Sequence, residues 1–231
     1  MEQPATFDEM LSTQTSLFEG MMRGYRENNR KIFVSTSLQT HSIPLLHLIS
    51  KTDKQVDILF LDTGFHFPET LAYLKTIENF IDMPIQRLKS SMSKISQMDR
   101  EGRFFYVTEP DYCCYLNKVA PLEPITAEYD IWISGVRRDQ TATRSNFQLE
   151  AAGPNGVMRF HPMLDWDKRM IWHYIRQQNI PRHPLDAKGY ISVSCAPCTA
   201  KMDFAAEDER QGRWAGLKKT ECGLHTTMIQ K

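Results

Sequence analysis

Three short runs, 31–35 (Lys31-Ile32-Phe33-Val34-Ser35), 56–61 (Val56-Asp57-Ile58-Leu59-Phe60-Leu61) and 130–135 (Asp130-Ile131-Trp132-Ile133-Ser134-Gly135), are apolar through their middles instead of alternating with polar residues. A strand of that kind is buried on both faces, which calls for a parallel sheet covered by helices on either side. Residues 84–88 read as a third strand in chain order, with 130–135 the fourth and Met158-Arg159-Phe160-His161 a fifth. Helical spacing fills the gaps: Phe7, Met10, Leu11, Leu17, Phe18, Met21 and Met22 mark a lead-in helix over 6–28. A second helix opens near Ser42 with Pro44 in its first turn, and another starts near Pro68. The last runs from about Trp166 to Gln178, closed by Asn179 and Pro181. The expected fold is α/β, a mostly parallel twisted sheet with helices on both faces. Ligands of such sheets lie beyond the carboxyl ends of the strands, where Ser35-Thr36-Ser37, Asp62-Thr63-Gly64 and Gly135-Val136-Arg137-Arg138 fall.

Charge narrows the function classes. Twenty-eight basic residues balance 28 acidic ones, so nothing global points to nucleic acid or a membrane surface. No apolar run approaches the roughly 18 residues of a membrane span; the best, Ile43 to Ile49, is interrupted by His47. The start, Met1-Glu2-Gln3-Pro4, lacks the regions of a secretory signal. A soluble cytoplasmic protein is expected, with 1–231 as one domain: a helical lead-in (1–29), an α/β core (30–200) and a C-terminal extension (201–231).

The cysteines carry the chemistry. All five lie from position 113 onward, grouped as Cys113-Cys114, Cys195-Ala-Pro-Cys198 and Cys222. Four thiols in two close pairs can make one soft ligand set, and reduced thiols suit a cytosol better than a disulfide framework. Adjacent side chains diverge on a strand and lie about 100° apart on a helix, so Cys113 and Cys114 suit a cluster of several irons better than a single zinc. Lys118, one helical turn beyond Cys114, would stand near such a cluster and could pair with a substrate anion. Cys222, outside the pairs, has Glu221 and His225 beside it; with Arg210, Arg213, Lys218 or Lys219 nearby it would gain the thiolate character of a nucleophile. Ser35-Thr36-Ser37 before a helix is a natural anion seat, though it has no glycine. Arg137, Arg138 and Arg144 add guanidinium forks at a strand's carboxyl end, against the plainer reading of a solvated turn paired with Asp139.

Together these segments resemble the iron–sulfur type of assimilatory sulfonucleotide reductase, which reduces adenosine 5′-phosphosulfate (APS). The likeness spans about Lys31 to His225. It rests on Cys113-Cys114-x-x-x-Lys118-x-x-Pro121-Leu122, Trp132-Ile133-x-Gly135-x-Arg137-Arg138-Asp139-Gln140, Thr143-Arg144, Cys195-x-x-Cys198-Thr199, Arg210-x-Gly212-Arg213-Trp214 and Glu221-Cys222-Gly223-Leu224-His225. It implies an adenine-nucleotide α-hydrolase-like fold and a [4Fe-4S] cluster on Cys113, Cys114, Cys195 and Cys198, structural and electrostatic in role. It makes Cys222 the nucleophile, forming an S-sulfocysteine as AMP leaves; a thioredoxin-like dithiol then releases sulfite. Lys118, Arg144, Arg210 and Arg213 would neutralise the phosphosulfate, with a further contact from His225. Ser35, Ser37, Asp62, Gly64 and Gly135 would hold the nucleotide. No nucleic-acid or membrane partner is expected, and a homo-oligomer stays open. Two positions depart from the pattern: Leu38-Gln39-Thr40 stands where the family's loop usually has Gly-Ala-Glu, and Ser194 where a glycine is usual. The alternatives are the 3′-phosphorylated nucleotide PAPS as substrate, an ATP pyrophosphatase with structural zinc, which Leu38-Gln39 disfavours, and a zinc-stabilised binding module.

Overall fold

A computed structural model describes residues 6–202, 212–214, 219, 221 and 223–225. The strands β1 (Ile32–Thr36), β2 (Asp57–Asp62), β3 (Ile85–Lys89), β4 (Ile131–Ser134), β5 (Glu150–Ala152) and β6 (Met158–Phe160) form one sheet in the order β3-β2-β1-β4-β6-β5. The pairs β1–β2, β1–β4, β2–β3 and β4–β6 are parallel. β5 runs antiparallel to β6, with Ala151 opposite Arg159. That edge strand is absent from the sequence expectation. Glu150-Ala151-Ala152 has weak strand propensity, and its pairing comes from the turn Pro154–Gly156, where Asn155 takes φ 54°, folding it back on β6.

The central strands divide their side chains between two cores. Ile32, Val34, Ile58, Phe60, Ile131 and Ile133 point to one face, where α1 (Phe7–Glu27), α2 (Ile43–Thr52), α3 (Pro68–Ile81) and α7 (Lys168–Gln177) pack. Phe33, Leu59, Leu61 and Trp132 point to the other, against Val119, Leu122, Val157 and Leu224. Burial on both faces is why those runs show no alternation in sequence. α1 opens on a capping box in which Thr6 Oγ1 accepts from the Glu9 amide at 3.2 Å and Glu9 accepts from the Thr6 amide at 2.7 Å. Its Phe18 stacks on Phe160 with ring centres 6.3 Å apart. α7 begins two residues later than expected, because Asp167 caps it by accepting from the Met170 amide at 2.7 Å. Among the described residues no helix is long and apolar enough to cross a membrane.

Residues 105–126 form a broken helical layer: α4 (Phe105–Thr108), α5 (Pro110–Cys114), a π-helical turn (Tyr115–Val119) and α6 (Ala120–Thr126). From β1 the chain passes to β2 on one side, and β4 later joins β1 on the other. The reversal makes the carboxyl ends of β1 and β4 the natural ligand crevice.

The loop after β1 sits in that crevice and turns sharply at Leu38, whose φ is +56°. Such a left-handed backbone is glycine territory, and a bulky residue there is strained. Complete burial of the Leu38 side chain in the first core offsets the strain. The loop thus keeps glycine's backbone geometry without glycine. Leu38→Ala keeps the left-handed penalty and loses the packing, whereas Leu38→Gly loses the packing but relieves the strain. In urea denaturation Leu38→Gly should therefore be the more stable variant, by about 1 kcal/mol, reversing the usual order of Ala over Gly. Leu38→Ala matching or exceeding Leu38→Gly would show that the loop is not held left-handed.

Candidate active site

An open cleft lies at the carboxyl ends of β1 and β4. Ser35, Thr36, Ser37, Gln39 and Ser42 line it from the loop after β1, Ser134 and Gly135 from the end of β4, and Phe60 and Leu61 from β2. Its cations are Lys118, Arg144 and Arg213. The Trp132 indole donates to Ser35 Oγ at 2.8 Å, so the first hydroxyl of the seat is aimed from the second core. Thr36 Oγ1 accepts from the Leu38 amide at 3.2 Å and stabilises the sharp turn.

A second, narrow cavity adjoins it, and Cys113, Cys114, Cys195 and Cys198 all line it. Two segments far apart in sequence build it. Cys113 and Cys114 close α5, and the Cys195–Cys198 turn is carried to them by backbone pairing. Ala196 N–H donates to the Phe65 carbonyl at 2.7 Å, and His66 and Cys195 form an antiparallel bridge. Polar groups reach two of the sulfurs: Thr63 Oγ1 lies 3.1 Å from Cys195 Sγ, and Asn117 Nδ2 donates to Cys113 Sγ at 3.6 Å. Burial first, then the neighbouring cysteines, push the Cys113 thiol up to about 12. Burial followed by Cys195 and Cys114 pushes Cys198 up to about 11, with Lys118 and Arg213 opposing the rise. The four sulfurs are therefore within electrostatic reach of one another.

Lys118, on the π-turn and 8% exposed, lines both cavities. Arg213 belongs to the same junction. Gly212–Trp214 pairs with the chain after Cys198 through the Ala200 amide to the Gly212 carbonyl at 2.8 Å and the Trp214 amide to the Cys198 carbonyl at 3.1 Å. A side chain at Gly212 would come 2.7 Å from the Ala200 carbonyl, so only glycine permits this approach. Arg213 stacks on Trp214 at 4.5 Å, and its buried Nε has no hydrogen-bond partner among the described residues.

Of the residues expected from sequence, Ser35, Ser37, Lys118, Gly135, Arg144 and Arg213 meet in the cleft. Asp62 and Gly64 stand outside its lining. The Asp62 carboxylate turns toward β3, accepting from Arg87 at 2.5 Å and from the Gly64 amide at 3.0 Å. Burial would raise its pKa, but the Arg87 hydrogen bonds, the Gly64 amide and the charges of Arg87 and His66 outweigh it and hold the group below the usual carboxylate range. Arg137 and Arg138 pair with Asp139 and Asp165 and stand outside the cleft lining, yet Arg137 is buried and so is not part of a solvated turn. Arg210 and Cys222 lie outside the described residues, and for His225 only the backbone turn Gly223–His225 is described. Sequence reasoning missed His66, Gln39 and Ser42 as lining residues. His66 was findable as a polar residue between a strand end and a helix start; its Nε2 lies 3.0 Å from the Leu61 carbonyl, and burial first of all lowers its pKa.

Residues 31–201 match the family described as the phosphoadenosine phosphosulfate reductase domain. The chain is 36% identical to adenosine 5′-phosphosulfate reductase 2 of Bacillus subtilis over 95% of its length and 96% of the relative's. It is 36% identical to the adenosine 5′-phosphosulfate reductase of Halalkalibacterium halodurans over 87% of each chain. In fold it is similar to a phosphoadenylyl-sulfate reductase from Candida auris solved as a phosphate complex, with TM-score 0.66, 20% identity, and 87% of this chain and 100% of that one covered. It is also similar to a Candida glabrata FMN adenylyltransferase, with TM-score 0.61, 11% identity, and 96% and 81% covered.

Behind the cleft, His161 Nδ1 lies 2.7 Å from the hydroxyl of Ser134. Burial, then the charges of Arg159 and Arg144, push its pKa from 6.5 down to about 3 against the pull of the Ser134 hydrogen bond. The folded protein thus keeps this imidazole neutral while the unfolded chain takes up a proton below about 6.5. The associated stability is complete above that pH and is lost as pH falls toward the folded value, with a limiting slope of about 1.4 kcal/mol per pH unit. Urea titrations between about pH 7 and pH 4 should show the stability gap between wild type and His161→Asn closing steadily. A constant gap would mean that the folded protein protonates His161 normally.

Proposed function

The chain belongs to the phosphoadenosine phosphosulfate reductase family, and from that premise we propose that it reduces adenosine 5′-phosphosulfate to sulfite and AMP. The observation that carries the reading is the position of Lys118, which lines the cleft at the strand ends and the four-cysteine cavity alike. The loop after β1 and the end of β4 offer hydroxyls and backbone groups to the nucleotide, as in other open α/β sheets. Lys118 and Arg213 face the anionic end. The cationic site stabilises charge that gathers on the leaving phosphate.

Cys222 attacks the sulfur of the substrate. A sulfur–sulfur bond forms, the sulfur–oxygen bond to the phosphate breaks, and AMP leaves with the electron pair. One thiol of a thioredoxin-like dithiol then attacks the Cys222 sulfur and sulfite departs. The second thiol resolves the mixed disulfide, so the dithiol ends oxidised and Cys222 is restored.

Cys113, Cys114, Cys195 and Cys198 would hold a [4Fe-4S] cluster. Four thiols around one cavity, from two otherwise separate segments, fit such a group. Among the described residues no three ligand side chains converge as a single metal ion would require. When bound, the group would pin the two segments together and set the electrostatic field at Lys118. Conversion is left to this chain's own side chains.

Mass spectrometry of the protein with APS and no dithiol should show one equivalent of AMP released and a gain of about 80 Da mapped to Cys222, the sulfonate added in a covalent step. Thioredoxin should reverse the gain as sulfite appears, and Cys222→Ser should abolish it with iron content intact. PAPS in a parallel assay should give markedly slower sulfite release. An adduct on another cysteine would defeat the mechanism, and faster turnover of PAPS would reassign the substrate. Replacing Cys195 by Ser should lower iron and acid-labile sulfide together; full iron content in that variant would remove it from the ligand set.

A further inference from the structure

Gln97 and Asn117 form a closed pair of side-chain amides beside the cysteine cavity. Gln97 Nε2 donates to Asn117 Oδ1 at 3.1 Å, and Asn117 Nδ2 donates back to Gln97 Oε1 at 2.6 Å. Gln97 is 1% exposed and Asn117 2%. An isolated pair of this kind could be turned over at both ends without loss, but backbone carbonyls settle the direction here. Gln97 Nε2 also donates to the Met92 carbonyl at 3.2 Å, and Asn117 Nδ2 to the Cys113 carbonyl at 2.9 Å. A carbonyl only accepts, so each nitrogen must lie on the side where it is found. Asn117 Nδ2 carries two hydrogens. Gln97 takes one, and the carbonyl and the sulfur of Cys113 share the other, with Sγ 3.6 Å from the nitrogen. The far end is held by backbone: the Phe105 amide donates to the Gln97 carbonyl and the Gln97 amide to the Lys94 carbonyl, each at 3.0 Å.

We propose that Asn117 is a positioning residue for the group on the four cysteines, that it presents an N–H to the Cys113 sulfur, and that Gln97 aims it. The proposal rests on the reading of Cys113 as an iron ligand. A thiolate bound to iron keeps negative charge, and a fixed donor in a buried site stabilises that charge. The N–H draws charge from the sulfur, softens its bond to iron and favours an added electron, so it raises the cluster's reduction potential. Gln97 also gives the preceding loop a purpose. Ser93 to Ser96 are exposed, and Gln97 is the buried residue by which that stretch is tied to the cavity.

Asn117→Leu fills a similar space without a donor and strands the Gln97 amide. Adding Gln97→Leu removes both amides, so part of the folding stability lost in the single variant returns. The double variant therefore separates the donor from its packing. In anaerobically purified protein of wild-type iron content, resonance Raman spectroscopy should show an iron–thiolate stretch at higher frequency in Asn117→Leu and in the double variant alike. The reduction potential should fall in both. AMP affinity should stay as in wild type, because neither residue lines the cleft. Gln97→Leu alone leaves the donor present but less firmly held, and should move the band part of the way. Wild-type spectrum and potential in Asn117→Leu overturn the proposal. Their return in the double variant does so too, since the pair would then serve packing alone, and an unmoved band in Gln97→Leu overturns the aiming role. Wild-type protein without iron defeats the cluster reading itself and the proposal with it.

Discussion

The amide of Ala196 and the carbonyl of Phe65 meet at 2.7 Å, with His66 and Cys195 bridged beside them. Most of what makes this a site descends from that short pairing. It returns a segment 130 residues downstream to the end of β2 and sets the Cys195–Cys198 turn opposite α5. It also offers an edge on which Gly212–Trp214 can lie, because Thr199 pairs with Arg213. Without it the sheet would still form, since β1, β2 and β4 are held by their own ladders and two cores. The cleft, however, would lose Ser194 and the edge that carries Arg213. Fold and site are thus separable here: burial of central strands fixes the first, and a few backbone bonds among loops fix the second.

That separation explains what could be read from sequence. Ile32 to Val34, Ile58 to Leu61 and Ile131 to Ile133 declare themselves because burial on both faces leaves an unmistakable apolar run. β5 does not, since nothing in Glu150-Ala151-Ala152 asks to be a strand until β6 is beside it. Likewise the clustering of Cys113, Cys114, Cys195 and Cys198 is legible from types and spacing, whereas the outward turn of Asp62 toward Arg87 is not. Strand-end position marks a residue as near the ligand, but the cross-strand neighbour decides which way its side chain turns. Leu38 is the instructive intermediate. Composition says that a glycine is lacking, yet backbone geometry and core packing recreate its conformation.

Electrostatics follow the same economy. Arg159, fully buried, lies over the Trp132 ring at 4.3 Å on the far side of β4 from the first core. It helps keep His161 neutral, and His161 in turn holds the Ser134 hydroxyl that lines the cleft. Positive charge thus surrounds the crevice at two depths: Lys118, Arg144 and Arg213 at its wall, Arg159 behind. An anionic ligand entering there meets a field prepared before it arrives.

The π-helical turn Tyr115–Val119 has a consequence for the chain's length as distinct from its chemistry. A turn of this kind holds one residue more than an α-helix would, and such insertions gather at functional sites. Upstream of it stand Cys113 and Cys114; downstream, Leu122 is sealed in the second core. Removing any single residue between them would let the helix become regular, and everything on one side would rotate by about 100° relative to the other. Either Leu122 would leave the core or the cysteines would leave their cavity. Apart from Asn117 and Lys118, drift in this stretch is freer to change letters than to change the count, so that a one-residue deletion here would be harsher than most substitutions.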